Sequence, residues 1–249
     1  MEAIETLFVP VAIYNNADGD DARALERFAE PAWNNPVVRF LDPLGKDVIP
    51  RKDGVWTAAA LAARMTTTLA AAKREVPLWW KLAELDARTP ELSRAVFAMH
   101  CFWVGQARLG ALDGVADARP AFIGELEVVD VRYDPARLSL ANLAAAASKS
   151  GCADRVWLER DLDLAAARAV LGERAQRLEA ALKLAPESDD LRSLKASAWA
   201  RAELVRSQAV WFNAVLAADP GAAPLGLSPR QRERVAQSAR ATEPPGGDR

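Results

Sequence analysis

The chain has 249 residues, 51% of them hydrophobic and 27% charged, which is enough apolar material for one large packed domain or two small ones. Its 32 Lys and Arg nearly balance 34 Asp and Glu, and no stretch concentrates positive charge, which argues against nucleic acid as the main partner. Two cysteines and one histidine are too few for a disulfide framework or a structural zinc site, and no apolar run reaches the length of a membrane span. The start Met-Glu-Ala-Ile-Glu-Thr lacks the basic residues and long apolar stretch of a signal peptide, so a cytoplasmic protein is expected.

In chain order, Phe8-Val-Pro-Val-Ala-Ile-Tyr14 reads as a β-type run. Asp20 then caps a helix over Asp21–Phe28. After Asn34-Asn35-Pro36, Val37–Leu41 is a second strand. Asp42-Pro43-Leu44-Gly45 makes a hairpin-type turn, with Lys46–Ile49 as the returning strand. Thr57 opens a helix through Ala72. Farther on, Ala95–Ala98 is a strand running into His100-Cys101, and Phe102–Leu112 has helical spacing with Phe102, Leu109 and Leu112 on one face. Asp113-Gly114 ends that helix, and Ala116–Leu126 joins it to the alternating strand Glu127–Tyr133. Asp134-Pro135 turns the chain into an Ala-rich helix, Leu140–Ser150, closed by Gly151. Beyond Asp161 the composition predicts helices over Leu164–Leu184 and Leu191–Leu216, broken near Pro186 and Asp189, then a Pro/Gly linker over Ala218–Leu225.

The expected class is therefore α+β, in four regions: 1–86, a strand–helix–hairpin–helix unit; 87–160, an α+β sandwich of ferredoxin-like, split-βαβ type; 161–231, helical; and 232–249, a disordered tail ending in Glu243-Pro-Pro-Gly-Gly-Asp-Arg249.

Two resemblances sharpen this. The first region resembles the C-terminal half of a thioredoxin-like domain, with Pro36 at the position of that family's cis-proline. It is similar to bacterial thioredoxin-like proteins whose upstream segment carries a Cys or selenocysteine redox motif. A selenocysteine codon read as a stop would give a start such as Met1, with strands left unpaired. In the second region, Phe97-Ala-Met-His-Cys-Phe-Trp103 resembles the Phe-x-x-Gly-Cys-Phe-Trp motif of the A-type peptide methionine sulfoxide reductases. Leu112-Asp-Gly-Val115, Glu127-Val-Val129, Tyr133-Asp-Pro135 and Leu138-Ser139 continue the likeness in order, and Gln208, Asn213 and Leu227–Gln231 echo it weakly. The chain departs from the family in three places. His100 stands where the family has Gly, the long loop before Glu127 is missing, and neither Tyr14 nor Tyr133 matches an active-site tyrosine.

This likeness implies a thiol-based oxidoreductase. Cys101 would be the nucleophile, Glu127 the general acid, and Phe102 and Trp103 the receptors of the substrate's S-methyl group. A cysteine at a helix start faces the positive end of the helix dipole, which favours thiolate. Cys152, where the family has an acidic residue near the nucleophile, would resolve the sulfenic acid. No cofactor is implied beyond a thiol reductant such as thioredoxin or glutathione; methionine sulfoxide or an oxidised protein is the expected substrate. Two alternatives stay open: a non-catalytic thioredoxin-like accessory whose helical part binds a partner, and a module of the heavy-metal-associated type. The latter needs a Cys-x-x-Cys that Cys101 does not supply.

Overall fold

The structure is a computed structural model that describes residues 2–31, 36–88, 92–223 and 225–241. Asn34, Asn35 and the tail Glu243–Arg249 lie outside the described residues. The chain is mixed α and β and divides into two units, Met1–Glu84 and Leu85–Arg249.

The first unit carries α1 (Glu2–Leu7), α2 (Asp20–Arg27), β1 (Val37–Val38), β2 (Lys52–Asp53), α3 (Ala58–Ala71) and most of α4 (Leu78–Ala87), whose last turn crosses the unit boundary. Thr57 caps α3 as expected, its hydroxyl accepting from the Ala60 N–H at 3.1 Å. The turn at Asp42 is also present: Gly45 N–H donates to the Asp42 carbonyl, and the Asp42 carboxylate accepts from the Leu44 and Lys46 amides. The strands are shorter than expected. Pairing begins with the bridge Leu41–Asp47, and the ladder then consists of Val37–Asp53 and Val38–Lys52, so β2 lies beyond the expected Lys46–Ile49. Phe8–Tyr14 is not a strand. Val9 (90% exposed) and Val11 (77%) face solvent, and β propensity without a ladder to join does not make a strand.

Beside the buried Phe40 and Ile49, an ion-pair cluster ties the hairpin together. Glu30 accepts from Arg51 Nε (2.7 Å) and Nη2 (2.8 Å) and from Arg39 Nη2 (2.8 Å) and Nε (3.0 Å). The hydrogen bonds from Arg51 hold the Glu30 carboxyl down at about 2, against its partial burial and aided by Arg39.

The second unit is built on a six-stranded sheet. Its elements are β3 (Ser93–Ala98), α5 (Phe102–Gly110), β4 (Val115–Ile123), β5 (Leu126–Tyr133), α6 (Leu140–Lys149), β6 (Arg155–Leu158), α7 (Asp161–Leu171), β7 (Ala175–Arg177), β8 (Lys183–Leu184), α8 (Arg192–Lys195), α9 (Arg206–Ala218) and α10 (Pro229–Ala241). The strand order is β7-β6-β3-β5-β4-β8, antiparallel throughout except for β6 and β7, which are parallel and joined through α7.

Alternation along β3 sends Ala95 and Phe97 to one face and Val96 and Ala98 to the other. The first face carries the main core. There Phe97, Val129, Val131, Val156 and Leu158 pack against Leu109 of α5, Leu143 and Ala147 of α6, Ala167 of α7 and Val210 of α9. A bulge between Val115 and Asp117 shifts the period by one, so Val115 and Ala118 both face these helices. Gly110 lets α9 lie close to α5, since a Cβ there would stand 2.7 Å from Val210 Cγ1. Gly105 likewise makes room for Met99, whose sulfur would be 1.8 Å from an added Cβ.

Three expectations change. Ala116–Leu126 is not a joining loop but most of β4, paired with β5 from end to end; Pro120 sits inside it, a residue that argues against a central strand. The region 161–231 is not all helix. Its first expected helix stops at Leu171, and β7 and β8 add to the two sheet edges, while α8 and α9 replace the single helix over Leu191–Leu216. Residues 229–241 form α10, so the tail expected to be disordered from 232 is helical up to Ala241. A run rich in Ala, Leu, Arg and Glu has helical propensity wherever it lies, and two or three residues of edge strand are decided by the neighbouring strand.

Candidate redox site

The path from β3 into α5 sets the position of Cys101. After the last paired residue, Ala98, the Met99 N–H still reaches the Glu127 carbonyl at 3.3 Å; His100 is exposed, and Cys101 takes the N-cap position (φ −142°, ψ 113°). Cys101 is half-buried, and its thiol makes no capping hydrogen bond. Glu127 caps instead: its Oε2 accepts from the Phe102 N–H at 2.8 Å. The β3–β5 register accounts for this, because Ala98 opposite Val128 puts Glu127 beside Met99, one side-chain length from the first turn of α5. A carboxylate there satisfies one of the orphan amides and complements the dipole. Cys101 and Glu127 therefore converge at one helix end.

Phe102 is buried at 4% exposure, in the main core, where it meets Phe122 edge-to-face at 5.4 Å. It faces the core rather than an open cleft. Trp103 is exposed (37%) and lies edge-on to Phe102 at 5.4 Å, with the Arg192 guanidinium 4.1 Å from its ring centroid.

Cys152 leaves the same end of the sheet. Ala98 pairs with Arg155 in adjacent antiparallel strands, so Cys101 and Cys152 each stand three residues beyond one cross-strand pair. The burial of Cys152 (1% exposed) has a local cause. Gly151 (φ +69°) ends α6 in the left-handed conformation; Cys152 N–H donates to the Ala147 carbonyl at 2.7 Å and Gly151 N–H to the Ser148 carbonyl at 3.1 Å. That is the double bond pattern of a Schellman ending, in which the residue after the glycine folds back on the helix. Arg108 donates to the Ser150 carbonyl (2.5 Å) and Arg174 to that of Ala153 (3.0 Å), pinning both sides of the turn. The Cys152 thiol donates to the Ser150 carbonyl at 3.5 Å, and both cysteines are free.

A polar cluster that sequence reasoning did not find lies on the other side of α5. Gln106 (1% exposed) donates to the Ala118 carbonyl (2.8 Å) and to Asp190 (2.7 Å), and accepts from the Leu191 N–H (3.0 Å) and Asn213 (3.4 Å). Arg206 bridges Asp117 (2.5 Å) and Asp190 (2.5 Å). Burial alone would raise the Asp190 carboxyl; hydrogen bonds and charge from Arg206 outweigh it and hold Asp190 below the usual carboxylate range. A signal was present in the sequence. Gln106 falls at i+4 from Phe102 and i−3 from Leu109, a polar residue on the apolar face of α5. Among the described residues, no group of three or more His, Cys, Asp and Glu is placed to hold a metal ion, and no helix is long and apolar enough to cross a membrane.

No protein-family model and no curated protein matches this chain.

Proposed function

We propose that the second unit is a thiol-based redox module related to the A-type peptide methionine sulfoxide reductases, with Cys101 as nucleophile and Glu127 as its acid. The observation that carries this reading is the Glu127–Phe102 hydrogen bond, which brings a carboxyl group to the helix start where a partly exposed cysteine holds the N-cap position. The strand order β6-β3-β5-β4 with α5 and α6 on one face supports a ferredoxin-like, split-βαβ assignment for residues 93–158. For the first unit, α2, the β1–β2 hairpin and α3 in sequence support a thioredoxin-like reading, against which the unpaired Phe8–Tyr14 counts.

In the proposed chemistry the Cys101 sulfur attacks the sulfoxide sulfur while Glu127 gives a proton to the departing oxygen. The S–O bond breaks as the oxygen leaves as water. Water then attacks the Cys101 sulfur and displaces the thioether, breaking the S–S bond, so the sulfoxide is reduced by two electrons and Cys101 is oxidised by two to sulfenic acid. Cys152 then condenses with it, releasing water and forming a disulfide, which an external dithiol such as thioredoxin, or two glutathiones, reduces. Resolution requires the Cα atoms of Cys101 and Cys152 to come within about 7 Å with facing Cβ atoms. A non-catalytic accessory role is the second reading. Phe102 buried in the core and Glu127 serving as a helix cap favour it, since both side chains already have a structural use.

The test is dimedone trapping after exposure to a methyl sulfoxide. In the Cys152→Ser variant Cys101 should carry the dimedone adduct, and wild type should instead show a Cys101–Cys152 disulfide by mass spectrometry. Glu127→Gln should abolish sulfoxide reduction and leave alkylation of Cys101 by iodoacetamide largely intact. Absence of adduct with unchanged iodoacetamide reactivity would leave the accessory reading.

A further inference from the structure

Along α5, α8 and α9 runs an open groove of about 670 Å³, within the range of small-molecule sites. Its walls are small: Ala107 on α5 and Ala214 and Ala217 on α9, where larger side chains would close the space. Trp103 stands at one end, and among the described residues the charged ones lining the groove are Arg108 and Arg192. Neither arginine has a carboxylate partner among the described residues. Arg108 spends one N–H on the Ser150 carbonyl, and the Arg192 guanidinium carbon stands 4.1 Å from the Trp103 ring centroid.

Arg192 is held where it is. Leu191, immediately before it, is in the left-handed region (φ +54°), which a branched non-glycine residue adopts at a cost. The buried Gln106 carbonyl oxygen accepts from the Leu191 N–H, and Asn213 Oδ1 accepts from the Leu194 N–H at 3.1 Å. These bonds fix the start of α8, from which the Arg192 guanidinium reaches the Trp103 ring with no carboxylate partner among the described residues. An apolar trough with two cations and, among the described residues, no anion complements a ligand that is itself apolar and negatively charged. From Trp103 to Ala111 the helix offers about 12 Å of wall at 1.5 Å per residue, the reach of a medium-length hydrocarbon chain.

We propose that this groove binds a free single-chain carboxylate, its head group on Arg192 and Arg108 and its chain along the alanines. The inference shares only Trp103 with the expected redox site and does not rest on that reading. Neither Cys101 nor Glu127 lines the groove, and the test needs no turnover.

The full chain would be titrated calorimetrically with sodium decanoate below its micelle concentration, and in parallel with acetate, decyltrimethylammonium and vesicles of anionic phospholipid. Decanoate should saturate one site, with acetate at least about tenfold weaker because it lacks the chain, and the decyl cation at least about tenfold weaker because the head-group pairing is charge-assisted. Arg192→Gln and Ala217→Trp should each weaken decanoate about tenfold. Ala217 is exposed, so its replacement fills the groove without entering the core, and the circular dichroism melt of both variants should match wild type. Equal binding of the decyl cation would overturn the charge argument, and undiminished binding in Ala217→Trp would overturn the location. Binding to vesicles alone would assign the arginines to a membrane surface and overturn the proposal.

Discussion

The strands of the two units are held differently, although both units bury apolar side chains, Met65 and Leu69 of α3 among them in the first. In Met1–Glu84 the hairpin has two paired residues on each strand beyond its first bridge, and the group that ties α2's end to both strands is one carboxylate, Glu30, shared by Arg39 and Arg51. In Leu85–Arg249 the sheet has six strands, and its main core contains residues at 0% exposure from β3, β5, β6, α5, α6, α7 and α9. Burial of apolar surface grows with every residue added, and it is insensitive to pH and salt; an ion-pair cluster near the surface is neither. The contrast teaches where each unit is fragile.

The largest expected effect is in the second unit. Leu109, fully buried on α5, should cost about 2–5 kcal/mol when cut to alanine, read as a lower urea midpoint and faster amide exchange in α6 and β5. An equal loss of protection in α3, within the first unit, would mean that the two regions do not unfold separately, and the comparison would break. A smaller effect belongs to Glu30. Its folded value, about 2, lies below the 4.5 it would have unfolded, so its contribution is present above pH 4.5 and disappears as pH falls from there to about 2. Discounted for solvent screening near the surface, this amounts to about 1–2 kcal/mol. Glu30→Gln should remove that acid sensitivity from the amide protection of residues 36–54 and leave β5 and α6 unchanged. The smallest effect sharpens the contrast, because it is the same device in both units. Thr57 and Ser139 each cap a helix through a hydroxyl, and Thr57→Ala and Ser139→Ala should each cost about 1 kcal/mol in their own unit only.

Particular residues show what was legible. The Thr57 cap, the Asp42–Gly45 turn, the helix starting after Cys101, the strand ending at Tyr133 and the glycine that closes α6 were all readable. Each is written in a few adjacent residues whose chemistry acts locally. The approach of Glu127 to Cys101 was implied by a resemblance and became geometry only through the β3–β5 register. The reason for Cys152's burial was half visible, in Gly151; its pinning by Arg108 and Arg174 was not, because neither arginine is near it in sequence.

By itself, then, the sequence determined the mixed α and β class, the starts of α3, α5 and α6, the glycine that ends α6, the alternating strand of the second unit and the pairing of a cysteine with a helix N-terminus. Those follow from propensity, capping and period, which need only neighbours along the chain. The tertiary structure decided what depends on partners. Phe8–Tyr14 has the residues of a strand and no ladder, whereas Ala116–Ile123, with a proline inside it, is a strand because β5 lies alongside. Three residues at Ala175 and two at Lys183 extend the sheet for the same reason. A backbone hydrogen bond between strands is worth having only where another strand already stands, and no window of sequence contains that information.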